Sequence, residues 1–309
     1  MLSRKRHWFR TVFQLKGSVV PAVLPRALVC GLVGGGVSIL HWANIPVSLP
    51  ILASLIPNIV LGLMLVFRTN TAYERFWEGR RLWGGIVNTS RNLARHIWVA
   101  IPEESSQIHY EKTVVLHSIV AFAVAVKLHL RQEPVNQELA DLLPRSQYLK
   151  LKGMNNPPLE IAFWMQDYLQ QQYQNGRLQV IQLTEIQKLI NLLIDNLGGC
   201  ERILKTPIPL AYAIHLKQLL LLYCLSLPFQ LIESSGWWTG FLVMLISFTL
   251  FGIEEIGVEI ENPFGNDPND LPLDAICNTM MRNIEDLISL TPGSSSQLLI
   301  MPETQPLEF

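Results

Sequence analysis

The residues that could hold a metal or attack a substrate are spaced in a way that favours neither chemistry. Cys30, Cys200, Cys224 and Cys277 stand far apart with no CxxC, and two of them fall in or beside apolar stretches. That pattern points to core packing rather than to a disulfide or a metal site. The 7 histidines are equally scattered. Without HExxH, HxxxH or ExxH, the helical zinc and di-iron patterns are missing. The glycine run CGLVGGG, Cys30 to Gly36, follows no strand, as a dinucleotide loop would require. Gly31 and Gly35 instead have the small-xxx-small spacing of closely packed helices. Asn88-Thr89-Ser90 matches a glycosylation sequon, which would be silent on a cytosolic face.

What remains is the chemistry of solvation. In IPNIVLGLMLVFRTNTAYERFW, Ile56 to Trp77, an apolar run passes into arginines and aromatics within one helical pattern. Ile59, Leu63 and Phe67 recur every four residues and share one face, which either packs against neighbouring helices or lines an axis. Periodicity leaves both open. Pro57 removes a backbone bond to Ala53 and is expected to kink the helix. Arg68, Arg75, Arg80 and Arg81 either raise the local anion concentration or pair with Glu74 and Glu78 at helical spacing.

The elements that must position these residues follow from the charge pattern. Of 309 residues, 49% are hydrophobic and 16% charged, for a net charge of −1. This balance implies a chain partly in lipid and gives no basic face for nucleic acid. No Lys, Arg, Asp or Glu occurs between Arg26 and Arg68, about twice the ~20 residues one membrane span needs. Two helices, roughly Ala27–Leu40 and Leu49–Phe67, are expected on either side of a hairpin at His41–Pro50. A second hairpin is expected from His215 to Glu233 and from Trp237 to Ile253, turning at Glu233-Ser234-Ser235-Gly236, with Pro228 inside its first helix. Trp237 and Trp238 suit an interfacial belt, and His215 and Lys217 the headgroup level. Lys and Arg flank the spans but are absent from both turns, so both termini are expected in the cytoplasm.

The segments are then 1–26, a cytosolic N-terminal stretch; 27–67, the first hairpin; 68–207, a helical cytosolic region; 208–256, the second hairpin; 257–290, a cytosolic extension; and 291–309, a tail without its own core. The apolar segment Thr113 to Val126 is too short to span and is expected as a buried helix. No removable targeting segment is expected.

Three stretches in order, FRTNTAYERFWEGRRLWG, GGCERILKTPIPLAYAIHLKQLLLLYCLSLPF and ENPFGNDPNDLPLD, resemble the bestrophin family of ion channels, including its bacterial and plastid members. The resemblance runs from about Lys5 to Ile288. It implies an all-α membrane protein with four transmembrane helices per subunit, assembled as a homopentamer in a bacterial plasma membrane or a thylakoid membrane. The second helix of each subunit would line a central pore, with Ile59, Leu63 and Phe67 as stacked apolar rings forming the neck and Ile181 as a cytosolic aperture. The permeant ions would be chloride and bicarbonate, or, as in some bacterial members, monovalent cations such as sodium and potassium. No enzymatic activity is implied; a membrane enzyme or receptor-like scaffold is the remaining alternative. In animal members the stretch matching Glu259 to Asp270 forms a calcium clasp, which places Glu259, Asn262, Asp267 and Asp270 at ligand positions, with a backbone carbonyl expected near Met1 or nowhere. All four can supply oxygen, but Pro268 restricts the loop and two of the family's carboxylates are absent, so any calcium is expected to bind weakly.

Overall fold

A computed structural model describes residues 12–49 and 55–290. Met1, the basic residues at positions 4–10, the start of the second expected span and the tail 291–309 lie outside them. Every regular element among the described residues is helical, and the chain divides into two compact units, Met1–Gly79 with Ile203–Leu271, and Arg80–Arg202 with Pro272–Phe309.

The first unit holds α1 (Val20–Trp42), the start of α2 (Leu55–Ala100), the end of α7 (Val180–Lys205), α8 (Leu210–Ser235) and α9 (Thr239–Glu259). α1 begins seven residues before its expected start, with Pro21 in its first turn, where a missing N–H leaves nothing unpaired, and it runs on through Pro25. α8 likewise continues through Pro228. The expected turn at Glu233–Gly236 falls slightly later, in a 3₁₀ turn over Gly236–Trp238. Gly236 sits at φ +51°, a left-handed conformation that glycine adopts without strain. Its carbonyl accepts from the Thr239 hydroxyl at 2.8 Å, and the Ser38 hydroxyl lies 3.1 Å away. The connector after α1 is tied to α8 by Leu49 N–H donating to Phe229 O at 2.9 Å.

Side chains from all four long helices build one core, including Val23 and Cys30, Leu61 and Leu65, Leu216 and Cys224, and Val243 and Phe251. The glycine run makes α1 and α9 touch through their backbones. A Cβ on Gly34 would stand 2.9 Å from Gly240 Cα, and one on Gly240 would stand 2.9 Å from Gly35 N. Close helix packing is therefore what the glycines supply, with Gly31 and Gly34 facing α9, whereas a Cβ on Gly35 would meet open space.

The second unit is organised around α3 (Ser106–Arg131), whose residues 118–128 are all buried. Around it lie α4 (Gln137–Leu142), α5 (Arg145–Leu151), α6 (Pro157–Gln174), the remainder of α2 and of α7, and α10 (Leu273–Ile288). Among the described residues three helical stretches are long and apolar enough to cross a membrane: Val20–Trp42, Ser106–Arg131 and Leu210–Glu259. Length thus does not set α3 apart, as the sequence had led us to expect, because the helix has 26 residues. Burial does: 78% of its apolar window is covered within the chain, against 33% for each of the other two. Its two buried lysines are partnered. Lys112, 0% exposed, donates to Trp98 O, Ile101 O and Glu103 Oε1 at 2.9–3.0 Å. Lys127 donates to Glu138 and Asp274 at 2.6 and 2.8 Å.

The backbone contact between α1 and α9 predicts a contrast between neighbouring glycines. Gly240→Leu should destabilise the purified protein by about 1–3 kcal/mol through overpacking, read as a lower Tm in detergent. Gly35→Ala should leave the Tm unchanged or raise it slightly, since its Cβ meets nothing and alanine favours the helix.

Candidate functional site

The site begins with the rotation of α2 about its own axis. Leu61, Leu65, Arg68 and Ala72 are buried, at 4%, 3%, 3% and 0% exposure, and their i, i+4, i+7, i+11 spacing defines one stripe. Ile59, Leu63 and Phe67 lie on the other side of the helix at 52%, 53% and 63% exposure. The core of the first unit takes Leu61 and Leu65, so this face does not pack within its own chain. Continuing along the exposed side, Asn70 and Glu74 are also exposed, so one face changes from apolar to polar within two turns.

Arg68 fixes that rotation. A nearly buried guanidinium needs a partner, and its Nη2 donates to Glu261 Oε2 at 2.7 Å. Glu261 Oε1 accepts from the Ile208 N–H at 2.9 Å. Arg75, two turns on, donates through Nε to Glu261 O at 3.3 Å and through its terminal nitrogens to Thr206 O and Ile203 O. Gly257 leaves room for the stem of Arg68: a Cβ there would be 3.3 Å from Arg68 Cγ. Of the pairing with Glu74 and Glu78 offered by the sequence, Arg75 keeps an electrostatic attraction to Glu78, while Arg68 pairs with Glu261 instead. Arg68 binds the Glu261 carboxylate and Arg75 binds backbone carbonyls, including that of Glu261, while Arg80 and Arg81 are exposed. Sequence reasoning missed Glu261 as an anchor, although it heads the ENPFG stretch already singled out.

Burial by itself would raise the Glu261 pKa, but the Ile208 N–H and the Arg68 guanidinium outweigh it and hold the carboxyl below its ordinary value. Burial pulls the Arg75 pKa down from its usual value, against the attraction of Glu261. At the ends of the spans Arg26 pairs with Glu255 at 2.7 Å, and the exposed Lys217 lies 3.8 Å from Glu254.

After Glu261 the chain folds back as a knot. Phe264, 0% exposed, lies with Pro263 against Gly79, where a Cβ would come within 2.9–3.1 Å of both rings. Asn262 Oδ1 accepts from Phe264 N at 3.3 Å, and Asp270 Oδ2 accepts from Asp267 N at 2.8 Å. Turn chemistry therefore engages Asn262 and Asp270. Asn269 Nδ2 lies 3.3 Å from both Gly17 O and Glu259 Oε2, so an amide donor occupies the space between a backbone carbonyl and a carboxylate. This arrangement fits calcium poorly. The oxygens of Glu259 and Asp270 are turned to different protein donors, and among the described residues no three His, Cys, Asp or Glu come together as metal ligands. The carbonyl brought to the loop is Gly17 O; Met1 is outside the described residues. Ile181 stands in the first turn of α7 in the second unit, 72% exposed.

The fold and these motifs define the class of protein. A model of the bacterial and fungal bestrophin proteins matches residues 1–286, and the chain belongs to the bestrophin family. It is 66% identical over 296 residues to a voltage-dependent anion channel-forming protein of Nostoc sp., covering 96% of each chain. A protein of the same description in Escherichia coli is 32% identical over 301 residues, covering 97% of this chain and 96% of its own. The crystal structure of a bacterial bestrophin homologue from Klebsiella pneumoniae matches with a TM-score of 0.78 at 30% identity, over 86% of this chain and 98% of that one.

Removing the partner of a buried guanidinium costs about 3–5 kcal/mol. Glu261→Ala should lower stability by that order, and Glu261→Gln by less, because an oxygen for the Ile208 N–H survives. The stabilisation from this carboxylate is complete above its unfolded value, near 4.5, and fades as pH falls through the lower folded value. Thermal melts from pH 7 to 3 should show wild type losing stability at the acid end more steeply than Glu261→Gln.

Proposed function

We propose that this chain is the subunit of a homopentameric channel that passes chloride, bicarbonate and similar monovalent anions across a bacterial plasma membrane or a thylakoid membrane. One observation carries the reading: α2 buries Leu61, Leu65 and Arg68 within its own subunit and leaves Ile59, Leu63 and Phe67 outward. A single α2 cannot surround an axis, so a pore lined by this face requires several copies, and the family resemblance makes them five. Each subunit then contributes four spans, α1, the start of α2, α8 and α9, with both termini in the cytosol and α3 kept as a core helix of the cytosolic unit. Five copies of Ile59, Leu63 and Phe67 form an apolar neck, and Ile181 a second ring at the cytosolic exit.

Apolar rings offer no hydrogen bonds to replace an ion's hydration, so they gate by wetting and dewetting and favour ions that shed water easily. A neck of this kind carries no formal charge. The same pore passing sodium or potassium is the competing reading, and Glu74, exposed on the polar continuation of the neck face, favours it. The anion reading is supported by the relatives, described as anion channel-forming proteins. Their description also favours a channel over an enzyme or a scaffold. Reversal potentials of the purified protein in planar bilayers under asymmetric salt decide the sign: a reversal at the chloride potential supports the reading, and one at the cation potential replaces it. Native mass spectrometry should give a pentamer, and an active monomer or dimer would remove the pore.

Replacing Ile59, Leu63 and Phe67 together by alanine removes bulk from the constriction. The variant should assemble normally and show a higher unitary conductance, with looser selectivity. A conductance equal to wild type would place the narrowest path elsewhere.

Calcium is not required for opening in this reading, because Asn269 already bridges Glu259 and Gly17. Currents recorded from chelator to millimolar calcium should change little. Steep micromolar activation abolished by Asp270→Ala would establish a working clasp at Glu259, Asn262, Asp267 and Asp270.

A further inference from the structure

The second unit carries a groove of about 500 Å³ between α2 and α10 whose lining contains two arginines and no acid. Arg80, Gly84, Asn88 and Arg91 recur at i, i+4, i+8 and i+11 on one side of α2, opposite Ala275, Ile276 and Thr279 of α10. Neither guanidinium has an ion-pair partner among the described residues, which distinguishes them from Arg68, paired with Glu261, and from Arg75, held by backbone carbonyls. Gly84 leaves space for the first of them: a Cβ there would stand 3.6 Å from Arg80 Nη1, so the side chain extends over the glycine toward Arg91. Outside the lining, Arg282 donates to the Thr279 hydroxyl at 3.3 Å. The nearest carboxylate in sequence to this wall of α10, Asp274, is taken by Lys127 and Arg131 at 2.8 and 3.0 Å. Further along α10, Asn283 Nδ2 is buried without an acceptor. The charged side chains of the groove are donors only.

We infer that this groove is a binding site for a small organic or inorganic polyanion carrying two phosphate-like groups. Arg80 and Arg91 are set about 16 Å apart along the axis by eleven residues of helix, and the advance of Arg80 over Gly84 shortens that gap by about one turn. Two guanidinium forks so placed suit two linked oxyanions better than one halide, because each fork makes paired charge-assisted hydrogen bonds to a phosphate. The volume lies in the range of small-molecule sites, and Val87, Ala275 and Ile276 give it an apolar floor. A ligand held from both sides ties α2 to α10. This inference is independent of the channel reading and concerns a surface to which that reading assigns no ion.

Calorimetric titration of the purified full chain in detergent with inorganic pyrophosphate, at fixed ionic strength, tests the site. Wild type should bind saturably. Arg80→Gln and Arg91→Gln should each weaken binding about tenfold or more, the loss of one charge-assisted pair. Arg81→Gln, the same charge change outside the groove, should leave affinity unchanged. Gly84→Leu should abolish binding by filling the groove while keeping every charge, which separates loss of the site from loss of charge. The proposal is overturned by absence of saturable binding to wild type, by equal weakening in Arg81→Gln, or by full affinity in Gly84→Leu. It is equally overturned if Arg80→Gln or Arg91→Gln changes the oligomeric state, since the arginines would then be partners of a neighbouring subunit.

Discussion

A buried guanidinium cannot be left unpaired, and the placement of Arg68 against Glu261 constrains the rest of the first unit. With Arg68 turned inward, the residues one and two turns before it, Leu65 and Leu61, face the same core, and Ala72 follows one turn later. At about 100° per residue, Ile59, Leu63 and Phe67 are then left some 160° to 240° round the helix from Leu61. The outward apolar face follows from the inward charge. Glu261 also accepts the N–H of Ile208 at the entry to α8, and Arg75 caps the carbonyls of Ile203 and Thr206 at the end of α7. One carboxylate and two arginines thereby join α2, the chain between α7 and α8, and the segment after α9. A change in the angle of any of these would have to break a pairing that is expensive to leave open.

The same knot makes the change from apolar to polar along α2 abrupt. The exposed side of α2 is apolar up to Phe67 and polar from Asn70 because the first charge, Arg68, is turned inward and neutralised within its own unit. Beyond it, polar bonds between helices are few and local, such as Tyr212 OH donating to Met64 O at 2.7 Å. α1 and α9 approach through Gly31, Gly34 and Gly240 until their backbones touch, which gains dispersion contacts where lipid supplies no hydrophobic drive. The two devices divide the work: glycines set the distance between spans, and Glu261 sets the rotation of the helix between them.

Much of this was legible in the sequence because its signals are local. The charge-free stretch from Arg26 to Arg68, the paired tryptophans at 237 and 238 and the glycine run each report on a few neighbouring residues; the run signalled close helix packing, but not that α9 is the partner or that Gly34 rather than Gly35 faces it. The rotation of α2 was not legible, since it depends on a carboxylate 193 residues away. Helical spacing offered Glu74 and Glu78 as partners, and a rule about i,i+4 pairs has no means of preferring Glu261. α3 shows the limit of apolar length as a signal: its window is as hydropathic as that of α1, and only the surrounding helices, absent from any local reading, consume its surface. At the loop after α9 the donors and acceptors of calcium chemistry were visible, but not that Asn269 would place an amide between Gly17 and Glu259.

Charge selectivity is then a question of which arginines retain a field. Arg68 and Arg75 follow the apolar face directly and would be the natural attractants for an anion, yet their charge is offset by Glu261 and by backbone carbonyls at hydrogen-bond distance. A charge paired at contact distance leaves only a dipole, whose field falls off faster than that of a free charge. On the exposed part of α2 the acid Glu74 comes first, and the unpaired Arg80 and Arg91 stand further along the same helix. An anion preference in this chain therefore cannot originate in the pair nearest the apolar face. Exposed guanidinium groups elsewhere on the chain would supply it, by raising local anion concentration. Such a preference weakens with salt, whereas the dehydration barrier of an apolar ring does not. The two contributions are separable in principle, one set by charges that salt can screen and the other by side-chain volume that it cannot.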